Sequence, residues 1–271
     1  MKKFGLIGHP IAHSLSPALF KAAYGGKYPY DLIEEEDFEK AYERFIKEYD
    51  AINVTAPFKE LAFMKADLKS AGCEAIGAAN ILMRMQDGRI YADNSDQMGV
   101  AGAIATDMRT DADALVVGCG GAAKAAAYAM CCSGYRTVII NRSLDKAKEF
   151  AQKLSQNPDF NICAMPMEDF SKCFRKAGVI IYTLPVIIPA IESLGKTDIQ
   201  GGMLLRKNKL IIEANYKDPA FSPDMVAGLK SVNPGLEYVS GKEWLLHQAV
   251  GAYKVFTGEA PDIEKMRKVI Q

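Results

Sequence analysis

The sequence predicts an α/β fold built as two lobes. Strand-like and helix-like segments alternate through residues 1–97, and a second alternating series begins at Asp113. At the head of that second series the apolar run Ala114-Leu115-Val116-Val117 enters the turn Gly118-Cys119-Gly120-Gly121-Ala122-Ala123. A small-residue helix follows, predicted from Lys124 to Ser133 and stopped by Gly134. Strand, G-x-G-x-x-A turn and helix in this order are the pattern of a dinucleotide site in a Rossmann-type, doubly wound sheet.

The chemistry of that turn follows from its residues. Gly118 allows the tight bend, Gly120 lets the backbone approach a pyrophosphate, and Ala123 lets the helix lie close on the sheet. The N-terminal N–H groups of that helix then face the phosphates, with the positive end of the helix dipole behind them. The next strand, Thr137-Val138-Ile139-Ile140, ends at Asn141-Arg142-Ser143, with Lys146 just beyond. An NAD-selective site normally places Asp or Glu there for the ribose 2′-hydroxyl, whereas a guanidinium suits a 2′-phosphate. The expected cofactor is therefore NADP; the neighbouring Asp145 is the one residue that pulls toward NAD.

The first lobe reads in order. Residues 3–7 form a first strand, and Ser16-Pro17 opens a helix, with Ser16 as N-cap and Pro17 in the first turn. Phe38, Tyr42, Phe45, Ile46 and Tyr49 recur at helical spacing and mark one buried face. Residues 51–54 form a short strand, and residues 80–85 and 89–92 form a hairpin turning at Asp87-Gly88. In the second lobe, further strands are expected at 161–164, 179–182, 210–214 and 237–239. Helices from Lys242 onward have no later strand to pair with and are expected to return to the first lobe. This gives one domain of residues 1–97 plus 241–271 and a second of residues 98–240. Ligands of open α/β sheets gather beyond the carboxyl ends of strands, so the cleft between lobes is the expected active site.

Composition excludes several classes. Lys plus Arg and Asp plus Glu are balanced at 33 each, so no global field favours nucleic acid or an anionic membrane. Apolar runs are strand-length, well short of a membrane span, and Met1 to Gly8 reads as a first strand rather than a signal peptide. The six cysteines form no C-x-x-C pair, and the only histidines are His9, His13 and His247, so no metal site is expected. A reduced cytoplasm is the expected location.

Polar residues collect at loop positions of the first lobe: Ser14, Ser16, Asn53, Thr55, Lys59, Asn80 and Asn94-Ser95-Asp96. Singly, each also fits a structural role: Ser16 and Thr55 as helix caps, Asn94 in a turn, Lys59 as a solvated lysine at a helix start. Together they line a site with hydroxyls, amides, one ammonium and one carboxylate, which suits a small, heavily hydroxylated substrate.

Several motifs in order then resemble the shikimate dehydrogenase family over nearly the whole chain. They are Gly8-His9-Pro10-Ile11-Ala12-His13-Ser14-Leu15-Ser16-Pro17, Asn53-Val54-Thr55-Ala56-Pro57-Phe58-Lys59, Gly77-Ala78-Ala79-Asn80 and Asp93-Asn94-Ser95-Asp96. The glycine turn with Asn141-Arg142-Ser143 is similar to the family's NADP site, and Leu245 to Ala249 to its C-terminal substrate segment. The resemblance implies reversible, NADPH-dependent reduction of 3-dehydroshikimate to shikimate, with Lys59 and Asp96 as the acid/base pair. It leaves open which of the two is the formal acid. It implies that Ser14 and Ser16, with Tyr216 beside them, bind the substrate carboxylate. Thr55, Asn80 and Gln248 would meet ring hydroxyls, and Asn53 joins the substrate set. Thr183 would join Gly118, Gly120, Gly121, Ala122, Asn141, Arg142, Ser143 and Lys146 around the cofactor. A monomer or a homodimer is expected.

Departures from the family pattern are Ile81 for a usual Thr, Tyr182-Thr183-Leu184-Pro185 for an Asn-Ala-Thr-Pro-like turn, and Gly241-Lys242-Glu243-Trp244 for a Gly- and Met-bearing stretch. Glu243 and Trp244 are expected either to alter nicotinamide seating or, for Trp244, to belong to the core. Alternative readings are a quinate/shikimate dehydrogenase using NAD and a non-catalytic NADP-binding paralogue. A glutamyl-tRNA reductase-like enzyme would need a nucleophilic cysteine in the first lobe, where Cys73 stands without a partner base.

Overall fold

The computed structural model describes residues 1–104, 112–192, 194 and 208–271. They form two compact units, one of Met1–Gly99 with Leu246–Gln271 and one of Val100–Leu245. Each carries its own six-stranded sheet.

In the first unit the strands are β1 (Phe4–Gly8), β2 (Tyr30–Glu34), β3 (Ala51–Val54), β4 (Leu68–Lys69), β5 (Ile81–Arg84) and β6 (Ile90–Asp93). Their order is β2-β1-β3-β5-β6-β4. β2, β1 and β3 run parallel, whereas β5 is antiparallel to both β3 and β6. The helix Phe38–Glu48 crosses over between β2 and β3, buries Phe38, Ala41 and Phe45, and is capped by Asp37, which accepts from Glu39 N. The hairpin turns at Asp87-Gly88 as expected, with Gly88 at φ +86°; its first strand is one residue shorter at each end and its second lies one residue later than expected.

Three details differ from the sequence reading. Ser16 is not an N-cap: Leu15 takes that place with helical backbone angles and no side-chain bond. The helix has therefore begun by residue 16, and the serine that takes an N–H there is Ser14, whose Oγ accepts from Ser16 N at 3.2 Å. β2 is an added strand. Its sequence Tyr-Asp-Leu-Ile-Glu buries only Ile33 and lies at the sheet edge, so it lacks the apolar run that marks β1. β4 has two residues, too few for periodicity.

Residues 246–271 complete the first unit. The Phe256 ring stacks on Phe4 at 5.3 Å, Tyr253 Oη donates to Ser16 O, and Asp262 N donates to Ala23 O. Tyr253 and Phe256 thus close an aromatic core over β1 and the helix Ser16–Tyr24.

The second unit is all parallel: β7 (Asp113–Val117), β8 (Arg136–Asn141), β9 (Ile162–Pro166), β10 (Val179–Tyr182), β11 (Leu210–Glu213) and β12 (Glu237–Val239). The order β9-β8-β7-β10-β11-β12 is that of a dinucleotide-binding doubly wound sheet, and it reverses between β7 and β10. The helix after β7 is Gly121–Cys132, beginning directly at the glycine turn rather than at Lys124. Leu115, Val117, Val138, Ile140, Ile180 and Ile211 fill the core with Phe170, Phe174 and Phe221.

Candidate active site

Lys59 and Asp96 each open a helix, Lys59–Lys65 and Asp96–Ala103. Lys59 Nζ lies 2.6 Å from Asp96 Oδ2, with the lysine side chain 18% exposed and the aspartate 2%. The other carboxylate oxygen, Oδ1, accepts from Asn80 Nδ2 at 2.9 Å. Asn80 Oδ1 takes the N–H of Ser95 at 2.7 Å, and Asn94 Oδ1 takes the N–H of Asp96 at 3.0 Å. Asn94 Nδ2 returns to Ala78 O at 2.7 Å, so two side-chain amides fasten residues 78–80 to residues 94–96. Both oxygens of Asp96 are committed and its side chain is sealed, while the Lys59 side chain stays partly exposed; the lysine is the more accessible member of the pair.

Of the other first-unit residues, Asn53 is bonded to this network. Asn53 Nδ2 donates to Asn80 O at 3.2 Å, and Asn53 Oδ1 accepts from Tyr30 Oη at 2.8 Å. Ser14 Oγ donates to Ser16 Oγ at 3.1 Å. Thr55 follows β3, and its methyl lies where a Cβ on residue 8 would stand, 2.4 Å away, so glycine is required at that crossing. Gln248 is half-buried on the helix Gly241–Thr257. Tyr216 belongs to the second unit, in the loop after β11, whose backbone packs against Gly241. Sequence reasoning missed Tyr30, which sits in the half-polar edge strand, and the buried Asp93, which accepts from Ser70 Oγ at 2.5 Å.

In the second unit, Gly118 has φ +114°, and a Cβ there would lie 2.5 Å from Thr183 Oγ1. Thr183 donates to Val117 O through both Oγ1 (2.7 Å) and N (3.1 Å), tying the ends of β7 and β10 at the point where strand order reverses. Gly120 is the N-cap of the helix Gly121–Cys132, makes no side-chain cap bond and has open space where its Cβ would stand. The first helical N–H groups thus lack a side-chain cap, the arrangement that holds a phosphate. At the end of β8, Asn141 Nδ2 donates to Ser143 O. Arg142 is exposed and makes no hydrogen bond or ion pair among the described residues. Ser143 N-caps the helix Leu144–Leu154 without a side-chain bond, and Lys146 lies in its first turn. A guanidinium, a hydroxyl and an ammonium around one helix start form a donor set that fits a ribose 2′-phosphate.

Three of the departing residues, Ile81, Trp244 and Tyr182, are packed inside. Ile81 is buried in β5, and Trp244 is 3% exposed, a core residue. Tyr182 is buried edge-on to Phe221, with its hydroxyl donating to Val186 O and pushed up to about 12 by burial. Cys73 is buried with its thiol on Ala78 O at 3.6 Å, the place of a packed thiol rather than a nucleophile. No group of side chains among the described residues is arranged to hold a metal ion, and no helix among them is long and apolar enough to cross a membrane.

A doubly wound dinucleotide sheet in one unit and a buried ammonium–carboxylate pair in the other define a dehydrogenase of the two-unit α/β class. Residues 6–82 match the shikimate dehydrogenase substrate binding domain, and residues 101–192 match the shikimate / quinate 5-dehydrogenase family. The NADP(+) shikimate dehydrogenase of Glaesserella parasuis is 32% identical over 100% of this chain and 98% of its own. The Thermus thermophilus shikimate 5-dehydrogenase solved with NADP(H) and shikimate is 26% identical, with a TM-score of 0.79 over 100% of this chain and 98% of that one. The Corynebacterium glutamicum quinate dehydrogenase solved with NAD shares the fold, with a TM-score of 0.82 at 21% identity over 99% and 98% of the two chains. The chain belongs to the shikimate dehydrogenase family.

Because an L side chain at φ +114° is strained and its Cβ would strike Thr183, Gly118→Ala is expected to cost about 1–3 kcal/mol. The urea-unfolding midpoint measures this, and an unchanged midpoint would mean the turn has room.

Proposed function

We infer that this chain is an NADP-dependent shikimate dehydrogenase, reversibly reducing 3-dehydroshikimate to shikimate in aromatic amino acid (chorismate) biosynthesis. The observation that carries the reading is the 2.6 Å Lys59–Asp96 pair, its aspartate sealed and its lysine side chain partly exposed. Residues 1–97 with 241–271 serve the substrate and residues 98–240 the cofactor. The enzyme works in the cytoplasm, as a monomer or a homodimer.

NADPH, when bound, supplies the hydride that reduces the substrate carbonyl. Gly118, Gly120, Gly121 and Ala122 would hold its pyrophosphate against the helix start, with Thr183 at the neighbouring strand end. Asn141, Arg142, Ser143 and Lys146 would hold the adenosine end and its 2′-phosphate. In the first unit, the Lys59 ammonium donates a hydrogen bond to the substrate carbonyl oxygen and gives its proton as negative charge develops there. The resulting amine is reprotonated from its solvent-exposed side. In the oxidation direction the same amine takes the hydroxyl proton. Asp96 keeps Nζ in place, and Asn80 keeps Asp96 in place. Ser14 and Ser16 bind the substrate carboxylate with Tyr216, and Asn53, Thr55, Asn80 and Gln248 recognise the ring hydroxyls or orient the groups that do.

Lys59→Ala is expected to lower kcat by roughly 10²- to 10⁴-fold while shikimate still binds, measured by initial rates and by equilibrium binding. An unchanged rate would remove the proposed proton donor. Cofactor choice is tested by Arg142→Ala. The KM for NADPH should rise about tenfold or more, as expected for loss of a charge-assisted phosphate contact, with the NADH rate little altered. Faster oxidation of quinate with NAD than of shikimate with NADP by the unaltered protein would replace this reading with the quinate one.

A further inference from the structure

Glu213, the last residue of β11, is a buried acid that the reaction as described does not use. Its Oε1 accepts the Ala220 N–H, and its Oε2 accepts the Phe221 N–H at 3.4 Å and the Tyr238 hydroxyl at 2.8 Å. Residues 214–219 are thereby closed into a loop whose return end is tied to the carboxylate at its start. Each carboxylate oxygen takes a backbone N–H, a group that only donates, so both oxygens must accept. A carboxylate does this, whereas an amide of the same shape would turn a donor toward one of them. Inside the loop, Asn215 Oδ1 accepts from Lys217 N at 3.1 Å and Asp218 N at 3.3 Å, and Asn215 Nδ2 donates to Asp218 O at 2.7 Å. Ala214 N donates to Tyr182 O at 2.8 Å. A Cβ on residue 241 would stand 2.6 Å from Ala214 O and 2.8 Å from Tyr216 N, so the loop backbone lies directly on the start of the helix Gly241–Thr257. Tyr216, half-buried, sits between these fixed points, all of them in the second unit.

We propose that Glu213 is a positioning residue that ties down the loop 214–219 and so fixes Tyr216 for the substrate carboxylate. The proposal rests on the substrate assignment made above. A tyrosine on a loop binds a carboxylate well when the loop is already set, because no ordering cost is then charged to the ligand. Two groups set this loop. Asn215 shapes its turn from within, and Glu213 anchors its return end to β11 and, through Tyr238, to the neighbouring strand β12. Without the carboxylate, the N–H groups of the buried Ala220 and Phe221 lose an acceptor, and the return end of the loop comes away from β11.

The experiment is a double-mutant cycle on the full-length enzyme with shikimate and NADP, reading kcat and KM separately. Tyr216→Phe should raise the KM for shikimate about tenfold, as expected for loss of one hydrogen bond to a charged group. Glu213→Gln, which keeps the size of the side chain but not its two acceptors, should raise the same KM by a similar factor. Because Glu213 acts through Tyr216, the double variant should be no worse than the poorer single one, whereas independent effects would multiply to about a hundredfold. The KM for NADP should stay constant in all three. A Glu213→Gln enzyme with an unaltered KM for shikimate, or effects that multiply in the double variant, overturns the proposal and leaves the carboxylate site standing. An unaltered KM in Tyr216→Phe sinks the carboxylate role of Tyr216 and the proposal together. Should Glu213→Gln not fold, Tyr238→Phe removes one donor from the same carboxylate while keeping the ring beside Phe221. It must then raise the KM for shikimate in the unaltered background and not in the Tyr216→Phe background; a rise in both overturns the proposal.

Discussion

The first unit is organised around a charge that would be costly to bury alone. Asp96 is sealed from solvent, and its carboxylate is tolerable there because each oxygen has a partner: the Lys59 ammonium on one and the Asn80 amide on the other. That requirement reaches back into the architecture. Asn80 immediately precedes β5 and Asp93 ends β6, so the antiparallel pairing of Ile81 with Asp93 sets the two polar segments side by side. Helices starting at Lys59 and Asp96 then bring ammonium and carboxylate together. The positive end of the helix Asp96–Ala103 further favours the carboxylate at its first residue.

The second unit meets the opposite requirement. A nucleotide pyrophosphate needs donors that nothing inside the protein has already taken. The glycine turn satisfies this by omission: no side chain caps the helix Gly121–Cys132 and no Cβ stands over Gly120. Rigidity comes from next door, where Thr183 binds Val117 O twice and fills the space beside Gly118. A β-branched residue with a hydroxyl is well suited to that place, packing and bonding at once.

Much of this was legible in the sequence where signals are local. The glycine turn, the Asp87-Gly88 hairpin and the strands at 179–182 and 237–239 stand where periodicity and turn chemistry put them. Long-range pairing was another matter. Lys59 and Asp96 are 37 residues apart, and nothing in helix or strand periodicity joins them; only the ordered motifs of a family did. Tyr30 stayed hidden because β2, Tyr-Asp-Leu-Ile-Glu, mixes acidic with apolar residues at a sheet edge, where burial leaves a weak mark. Ser16 misled in a different way. A serine before proline at a helix start looks like a cap, but the chain had already turned helical one residue earlier. Trp244 was ambiguous because a large aromatic beside an expected cofactor segment fits a stacking platform as well as a core, and burial decided for the core.

The discontinuity of the first unit has a consequence for how the polypeptide is made. Its sheet is complete by Asp93, yet the rings of Tyr253 and Phe256 that cover Phe4 and Phe20 leave the ribosome only after every residue of the second unit. The nucleotide sheet can therefore assemble while the opening strands still wait with an uncovered aromatic surface. The helix start at Ser16 gains its Tyr253 anchor only at that late stage.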